Sequence, residues 1–363
     1  MQVRPRVLDL FCGCGGFSLG AENAGLVPQL AIDVDPILTS SFSVNHKNTK
    51  LHLSDISSIE ASDIEREIGG NVDGIFGGPP CQGFSSIGLR KADDPRRLLL
   101  GHFFRLVSEL KPAFFVMENV RGIGYADARH VLDEALELVR GKYELIEPVV
   151  LDASDFGAAT KRPRLFVIGF DRDRVDPLTR EDILAAKKPA VNVADAISDL
   201  IGSLSVGEED GYDTWQYSAS EPMSEYAKKL RSPKGRFTGH KLTVHTDAVV
   251  ERFRSLSQGG VDPVGRHHRL NWAGQCPTLR AGTGSDKGSF QSVRPIHPEE
   301  ARVITVREAA RLQGFPDWFR FHPTVWHSFR MIGNSVSPII SEAIFSLIAQ
   351  RMDSGWSSRI AAE

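Results

Sequence analysis

Between residues 6 and 170 the chain alternates short apolar runs with amphipathic stretches, and this rhythm limits the available folds more than any other feature. Residues 6–10 (RVLDL), 29–33 (QLAID), 72–76 (VDGIF) and 113–118 (AFFVME) have the length and apolar density of buried strands. Helices are expected over residues 17–25, 97–110 and 127–140, with further strands near 145–151 and 164–170. Strands separated by helices in this way form a mostly parallel sheet covered on both faces. The expected fold class is α/β, a doubly wound, mostly parallel sheet.

In such a sheet a ligand sits beyond the carboxyl ends of the strands. Gly13, Gly15 and Gly16 follow the first strand there, allowing backbone to approach a cofactor closely, and Phe11 offers a flat face to a ring. Asp33 ends the second strand, where a carboxylate can hold a ribose hydroxyl pair. Nicotinamide enzymes use the same logic, but the glycines here lack GxGxxG spacing, which favours an adenosyl cofactor other than NAD. The segment GGPPCQGFSS (77–86) cannot be helical, because Pro79 and Pro80 fix φ and donate no hydrogen bond. It reads as a rigid loop presenting the thiol of Cys81. Glu118 closes the strand at 113–118; taken alone, it reads as a strand-end carboxylate paired with a neighbour.

With 363 residues and 41% hydrophobic content, the chain can bury a sizeable core and is expected to form two domains or one with a large insertion. No signal peptide is evident, and no apolar run is read as approaching the roughly 20 residues of a bilayer span. The four cysteines, Cys12, Cys14, Cys81 and Cys276, lack CxxC spacing and scaffold density, so reduced thiols in a cytoplasmic protein are expected. Cys12 and Cys14 read as small packing residues, and no metal is expected. The net charge of −3 gives no overall attraction to nucleic acid, so any such signal is local. Two local runs stand out in the polar, Gly- and Pro-containing region from about 175 to 300: KKLRSPKGR (228–236) and RHHR (266–269).

Six segments occur in a telling order: DLFCGCGGFSLG, GGPPCQGFSS, MENV, RPRLFVIG, REAARLQGFPD and GNSVSP. The series resembles the ordered motifs of the cytosine-5 DNA methyltransferases of bacterial or phage type, over residues 7–170 and 275–350. The resemblance implies a Rossmann-like, S-adenosylmethionine-dependent domain formed by residues 1–175 and 325–363. A smaller, irregular target-recognition domain with a hinge is implied over 176–324, and residues 338–351 are expected to form a closing helix. It further implies methyl transfer to carbon 5 of a cytosine flipped out of duplex DNA, through a covalent Cys81 adduct, leaving S-adenosylhomocysteine. The partner implied is double-stranded DNA, with a monomer, no membrane and a cognate restriction endonuclease acting separately in a modification system.

The family pattern assigns roles residue by residue. Cys81 matches the thiolate, Glu118 the glutamate that holds ring nitrogen 3 and the exocyclic amine, and Arg162 and Arg164 the two arginines near the flipped base. Phe11, Gly13, Gly15, Gly16, Asp33, Val34, Asp55, Ile56, Pro80, Leu100, Asn334 and Val336 match the cofactor set. Gln82, Ser85, Lys228, Lys229, Arg231, Lys234, Arg236, Arg266, Arg269 and Thr278 are expected at the DNA. Two positions depart from the pattern: Thr160 stands where glutamine is usual, and Pro163 separates the arginines. An RNA methyltransferase of this fold would carry a Cys-Phe-Thr signature that is missing here, and a binding protein without chemistry would be expected to lose the cysteine or the glutamate.

Overall fold

The computed structural model describes residues 5–80, 97–126, 128–218, 223–282 and 294–360. Two compact units emerge: Met1–Asp152, Pro163–Lys187 and Ile340–Glu363 form the first, and Ala153–Arg162 with Lys188–Ile339 the second.

The first unit begins β1 (Val7–Leu10), α1 (Gly16–Asn23), β2 (Pro28–Asp33), α2 (Phe42–Asn45), β3 (Lys50–Leu53), α3 (Ala61–Ile68) and β4 (Gly74–Gly77). It continues α4 (Arg97–Leu110), β5 (Phe114–Val120), α5 (Arg129–Leu136), β6 (Glu144–Asp152), β7 (Pro163–Phe170) and α6 (Arg180–Ala185). Seven strands form one sheet in the order β3-β2-β1-β4-β5-β7-β6. Every pairing is parallel except those of β7, which runs antiparallel to both β5 and β6. The order reverses between β1 and β4, which is the position where this class of sheet opens a ligand crevice. Gly77 makes that pairing close, since a Cβ there would lie 2.2 Å from the Leu10 carbonyl oxygen.

Strands β1, β4 and β5 are buried almost throughout, which explains why they stand out as apolar runs. The sheet edge differs: in β3 only Leu51 is half-buried, so its apolar signal is faint.

The helix α12 (Pro338–Ile360) extends beyond the expected 338–351. Its Ile340, Ile344, Phe345, Ile348 and Met352 are buried, a helical spacing that lays one face on the first unit. The Phe345 ring centroid lies 5.4 Å from that of Phe17, 4.8 Å from Phe76 and 6.5 Å from Phe114. Ser341 Oγ donates to the Phe17 carbonyl at 2.7 Å. These contacts correct one reading: Val325–Met352 is long and apolar enough for a bilayer span, with mean hydropathy 1.4, but 67% of that window is buried within the protein.

The second unit holds α7 (Val193–Ile197), β8 (Leu204–Glu209), β9 (Tyr212–Gln216), α8 (Glu225–Leu230), β10 (Arg236–Thr238), α9 (Asp247–Arg254), α10 (Val306–Gln313) and α11 (Val325–Asn334). Strands β8, β9 and β10 form a three-stranded antiparallel sheet. The region expected to show little regular structure is thus built from short elements, joined by buried charge. Arg311 is fully buried and bonds Asp317 at 2.6 and 2.7 Å, Asp199 at 3.2 and 3.1 Å and the Ala196 carbonyl at 3.1 Å. Arg307, equally buried, donates to the carbonyls of Thr238, Pro316 and Phe319. A guanidinium so deep must have its donors satisfied, and REAARLQGFPD supplies both arginines and Asp317.

Candidate active site

The turn after β1 is held in unusual backbone. Phe11 has φ of 62°, Gly13 of 52° and Gly15 of 90°, all in the region L side chains seldom adopt. The Phe11 amide donates to the Ile32 carbonyl at 2.8 Å and the Gly13 amide to Asp33 Oδ2 at 2.9 Å. The Asp35 amide donates to Asp33 Oδ1 at 2.9 Å. Burial pushes the Asp33 carboxyl above its usual pKa, while these backbone bonds act in the opposite direction. A Cβ on Gly15 would fall 2.1 Å from His46 Nε2, so the turn has room for glycine alone. His46 is itself buried, with Nδ1 2.8 Å from Glu22 Oε1. Beneath the turn, Asp9 in β1 is buried and accepts from the Ser18 hydroxyl; burial raises its pKa well above the ordinary value.

The remaining first-unit cofactor candidates divide by exposure. Val34 is exposed, and so is Asp55, which caps a short turn by accepting from the Ser57 amide, a bond that lowers its pKa. Ile56 and Leu100 lie in the apolar core, and Pro80 is half-buried.

The neighbouring strand ends carry the acid. Glu118 lies near the end of β5, 8% exposed, and Arg164 Nε reaches its Oε1 at 2.9 Å. The direction of β7 makes this pair: running antiparallel, it sets Arg164 opposite Val120, so a residue from the start of one strand meets the carboxyl end of another. Asn119 Nδ2 donates to the Pro79 carbonyl at 3.2 Å, tying the start of the proline segment to β5. A Cβ on Gly78 would stand 3.1 Å from Glu118 Oε2. The carboxylate therefore lies directly against Gly78, three residues before Cys81 in the sequence. Sequence reasoning misses the Asn119–Pro79 bond, although Asn119 lies inside MENV; its place beside Glu118 is the signal that could have marked it.

Cys81, Gln82 and Ser85 lie outside the described residues. Cys12, Cys14 and Cys276 are buried and form no disulfide with one another. Burial, and secondarily the charge of Asp9, raises the Cys12 pKa well above the ordinary thiol value, and burial pushes Cys276 up to about 12. Neither carries appreciable thiolate at neutral pH.

Arg162 is 2% exposed and belongs to the second unit, where it donates to the carbonyls of Leu279 at 3.1 Å and Gly333 at 2.8 Å. Thr160, at the departure from the family pattern, donates its hydroxyl to the Cys276 carbonyl at 3.2 Å, and Thr278 donates to the Lys161 carbonyl at 2.6 Å. Pro163 opens β7.

Asn334, exposed, and Val336, buried, also belong to the second unit, which runs to Ile339. Arg269 is buried, and its guanidinium donates to the carbonyls of Phe253, Leu256, Pro298 and Glu299. Arg231 is half-buried, 3.8 Å above the Tyr217 ring. Lys228, Lys229, Lys234, Arg236 and Arg266 are exposed.

A family model described as C-5 cytosine-specific DNA methylase matches residues 5–350. The Type II methyltransferase M.XorII of Xanthomonas oryzae is 40% identical over 94% of this chain and 84% of its own length. The Type II methyltransferase M.DdeI of Desulfomicrobium norvegicum is 32% identical over 94% and 88%. A crystal structure described as a DNA modification methyltransferase encoded within an E. coli prophage superimposes with a TM-score of 0.83 at 38% identity, covering 96% of this chain and 99% of that one. A strand order with a single antiparallel strand, an acid and an arginine paired at its carboxyl edge, and these likenesses lead to one conclusion: the chain belongs to the C-5 cytosine-specific DNA methylases and is a DNA cytosine-5 methyltransferase.

Proposed function

We propose that the chain methylates cytosine through a covalent adduct on Cys81, with Glu118 holding the base and Arg164 orienting Glu118. The observation that carries this reading is the Glu118–Arg164 pair set against Gly78, at the start of the proline-flanked segment. Carbon 5 of cytosine is a poor nucleophile. Addition of the Cys81 thiolate to carbon 6 breaks the ring's 5,6 double bond and places electron density on carbon 5, while a proton shared between Glu118 and ring nitrogen 3 offsets the developing charge. Once carbon 5 has been alkylated, loss of its proton and departure of the Cys81 sulfur restore the ring. The target must leave the base stack for this, at a cost of a few kcal/mol.

S-adenosylmethionine supplies the methyl group as an electrophilic carbon. The positive-φ turn of Phe11, Gly13 and Gly15, with Asp33 at the next strand end, fits an adenosyl ligand: it leaves open space beside Gly13 and brings a carboxyl to the same turn for a ribose. Asp55 and Ile56 suit its adenine side, and Asn334 and Val336 are assigned to it by the family pattern alone. The second unit contacts duplex DNA, with Lys228, Lys229, Lys234 and Arg236 at phosphates. The Type II relatives support a place in a modification system, with a restriction endonuclease as a separate protein, and a cytoplasmic monomer is the simplest form of such an enzyme. The test is to supply labelled donor with separate duplex DNA and RNA pools and to read the products by bisulfite sequencing. Label confined to cytosine in duplex DNA is expected; label in RNA would overturn the reading.

A further inference from the structure

Within the second unit, residues 259–269 form a small hairpin. The Gly259 amide donates to the Arg269 carbonyl at 2.9 Å, the Arg269 amide to Gly260 at 2.8 Å, and the Asp262 amide to His267 at 2.8 Å. Both ends are anchored. At the base, the buried Arg269 guanidinium binds four carbonyls from two other segments. Near the tip, the fully buried Asp262 accepts from Arg252 Nε of α9 at 2.6 Å and from the Gly265 amide at 2.7 Å. Burial would push the Asp262 carboxyl up, but the bonds from Arg252 and the backbone hold it below the usual range, so it stays ionised. Gly265 is packed so closely that a Cβ would meet His267 at 2.5 Å.

This rigid frame presents a particular pair of side chains. Val264 is 71% exposed, and Arg266 is exposed with φ of 59°, a conformation a bulky residue adopts only when its surroundings impose it. Among the described residues the Arg266 guanidinium has no hydrogen-bond or ion-pair partner. Other basic side chains of the second unit differ: Arg252 is paired with Asp262, Arg254 with Glu251 and Lys228 with Glu225. A phosphate contact needs only a positive charge, whereas reading a base edge needs a planar donor fork projected from a defined place, and the hairpin fixes the backbone from which the unpaired Arg266 fork projects.

We propose that Arg266 is a specificity-determining residue that reads a guanine, its fork donating to O6 and N7 in the major groove beside the apolar tip of Val264. The proposal rests on the reading of the second unit as the one that contacts DNA. The experiment compares wild type, Arg266→Lys and Arg266→Asn, the last chosen because asparagine tolerates left-handed backbone. Bisulfite sequencing of DNA from expressing cells gives the methylated site, and binding at several salt concentrations gives the electrostatic slope.

Arg266→Lys keeps the charge and should keep the slope, yet lose discrimination for guanine at one base pair, by roughly 5- to 150-fold. Arg266→Asn should relax the same position. An unchanged site in both variants would overturn the proposal, as would uniformly weaker binding with a slope lower by about 0.9, which would mark a phosphate contact. Absence of cytosine methylation by wild type would instead remove the underlying function, and the proposal with it.

Discussion

Replacing Glu308 by glutamine isolates one charge at the centre of the second unit. Glu308 is 1% exposed and accepts from Arg302 at 2.9 and 2.8 Å and from the Thr305 amide at 2.7 Å. Burial alone would push its carboxyl up; the hydrogen bonds and charge of Arg302 outweigh that and hold the pKa at about 2, against 4.5 for an ordinary glutamate. That displacement corresponds to about 3 kcal/mol of folding stability at neutral pH. Because the folded-state pKa is depressed, this stability is present above pH 4.5 and is lost as pH falls toward 2. At pH 3 a little under half of it should remain. Glutamine can still accept from the Thr305 amide, so the helix cap survives while the charge does not. Urea unfolding followed by fluorescence should show Glu308→Gln less stable than wild type by about 3 kcal/mol at pH 7 and by roughly half that at pH 3. An equal deficit at both pH values would exclude a charge effect and leave one of packing. Arg302 also meets Glu300, next to the Glu299 carbonyl that anchors Arg269, so the variant should blur target recognition as well.

Neutralising Lys228, Lys229, Lys234 and Arg236 together should flatten the salt dependence of DNA binding, by about 0.9 for each phosphate that these side chains neutralise. A slope equal to that of wild type would show the run to be a solvated face. Gly15→Ala should weaken adenosylmethionine binding, because the new Cβ would lie 2.1 Å from His46 Nε2 on backbone at φ of 90°. Adding His46→Ala should recover part of that affinity but not all, as the backbone strain persists; a single variant binding like wild type would count against the tight turn.

The first unit is largely legible in the sequence because its central strands are buried on both faces, and runs such as AFFVME can satisfy that environment in few other ways. The edge strand β3 and helix α3 escape such a reading, since KLHL is mostly exposed and α3 buries little beyond Ile64. The direction of β7 is not legible either, although it alone explains how Arg164 reaches Glu118. A strand pattern records which faces are buried but not which way the strand runs.

The partners of charged side chains are least legible. Within RHHR, Arg266 is exposed and Arg269 buried, and within RPR, Arg162 binds carbonyls while Arg164 binds a carboxylate. A buried arginine that satisfies its donors on main-chain carbonyls leaves no partner side chain for sequence reading to find.

A covalent intermediate on Cys81 can be caught with a duplex carrying 5-fluorocytosine at the target. Fluorine replaces the proton that must leave carbon 5, so the sulfur cannot depart and the intermediate should accumulate. The expected adduct forms only with adenosylmethionine, maps to Cys81 by peptide sequencing and is lost in Cys81→Ser. Attachment to Cys12, Cys14 or Cys276, all buried in the fold, would speak against Cys81 as the nucleophile, as would full methylation of ordinary DNA with no adduct on the fluorinated duplex.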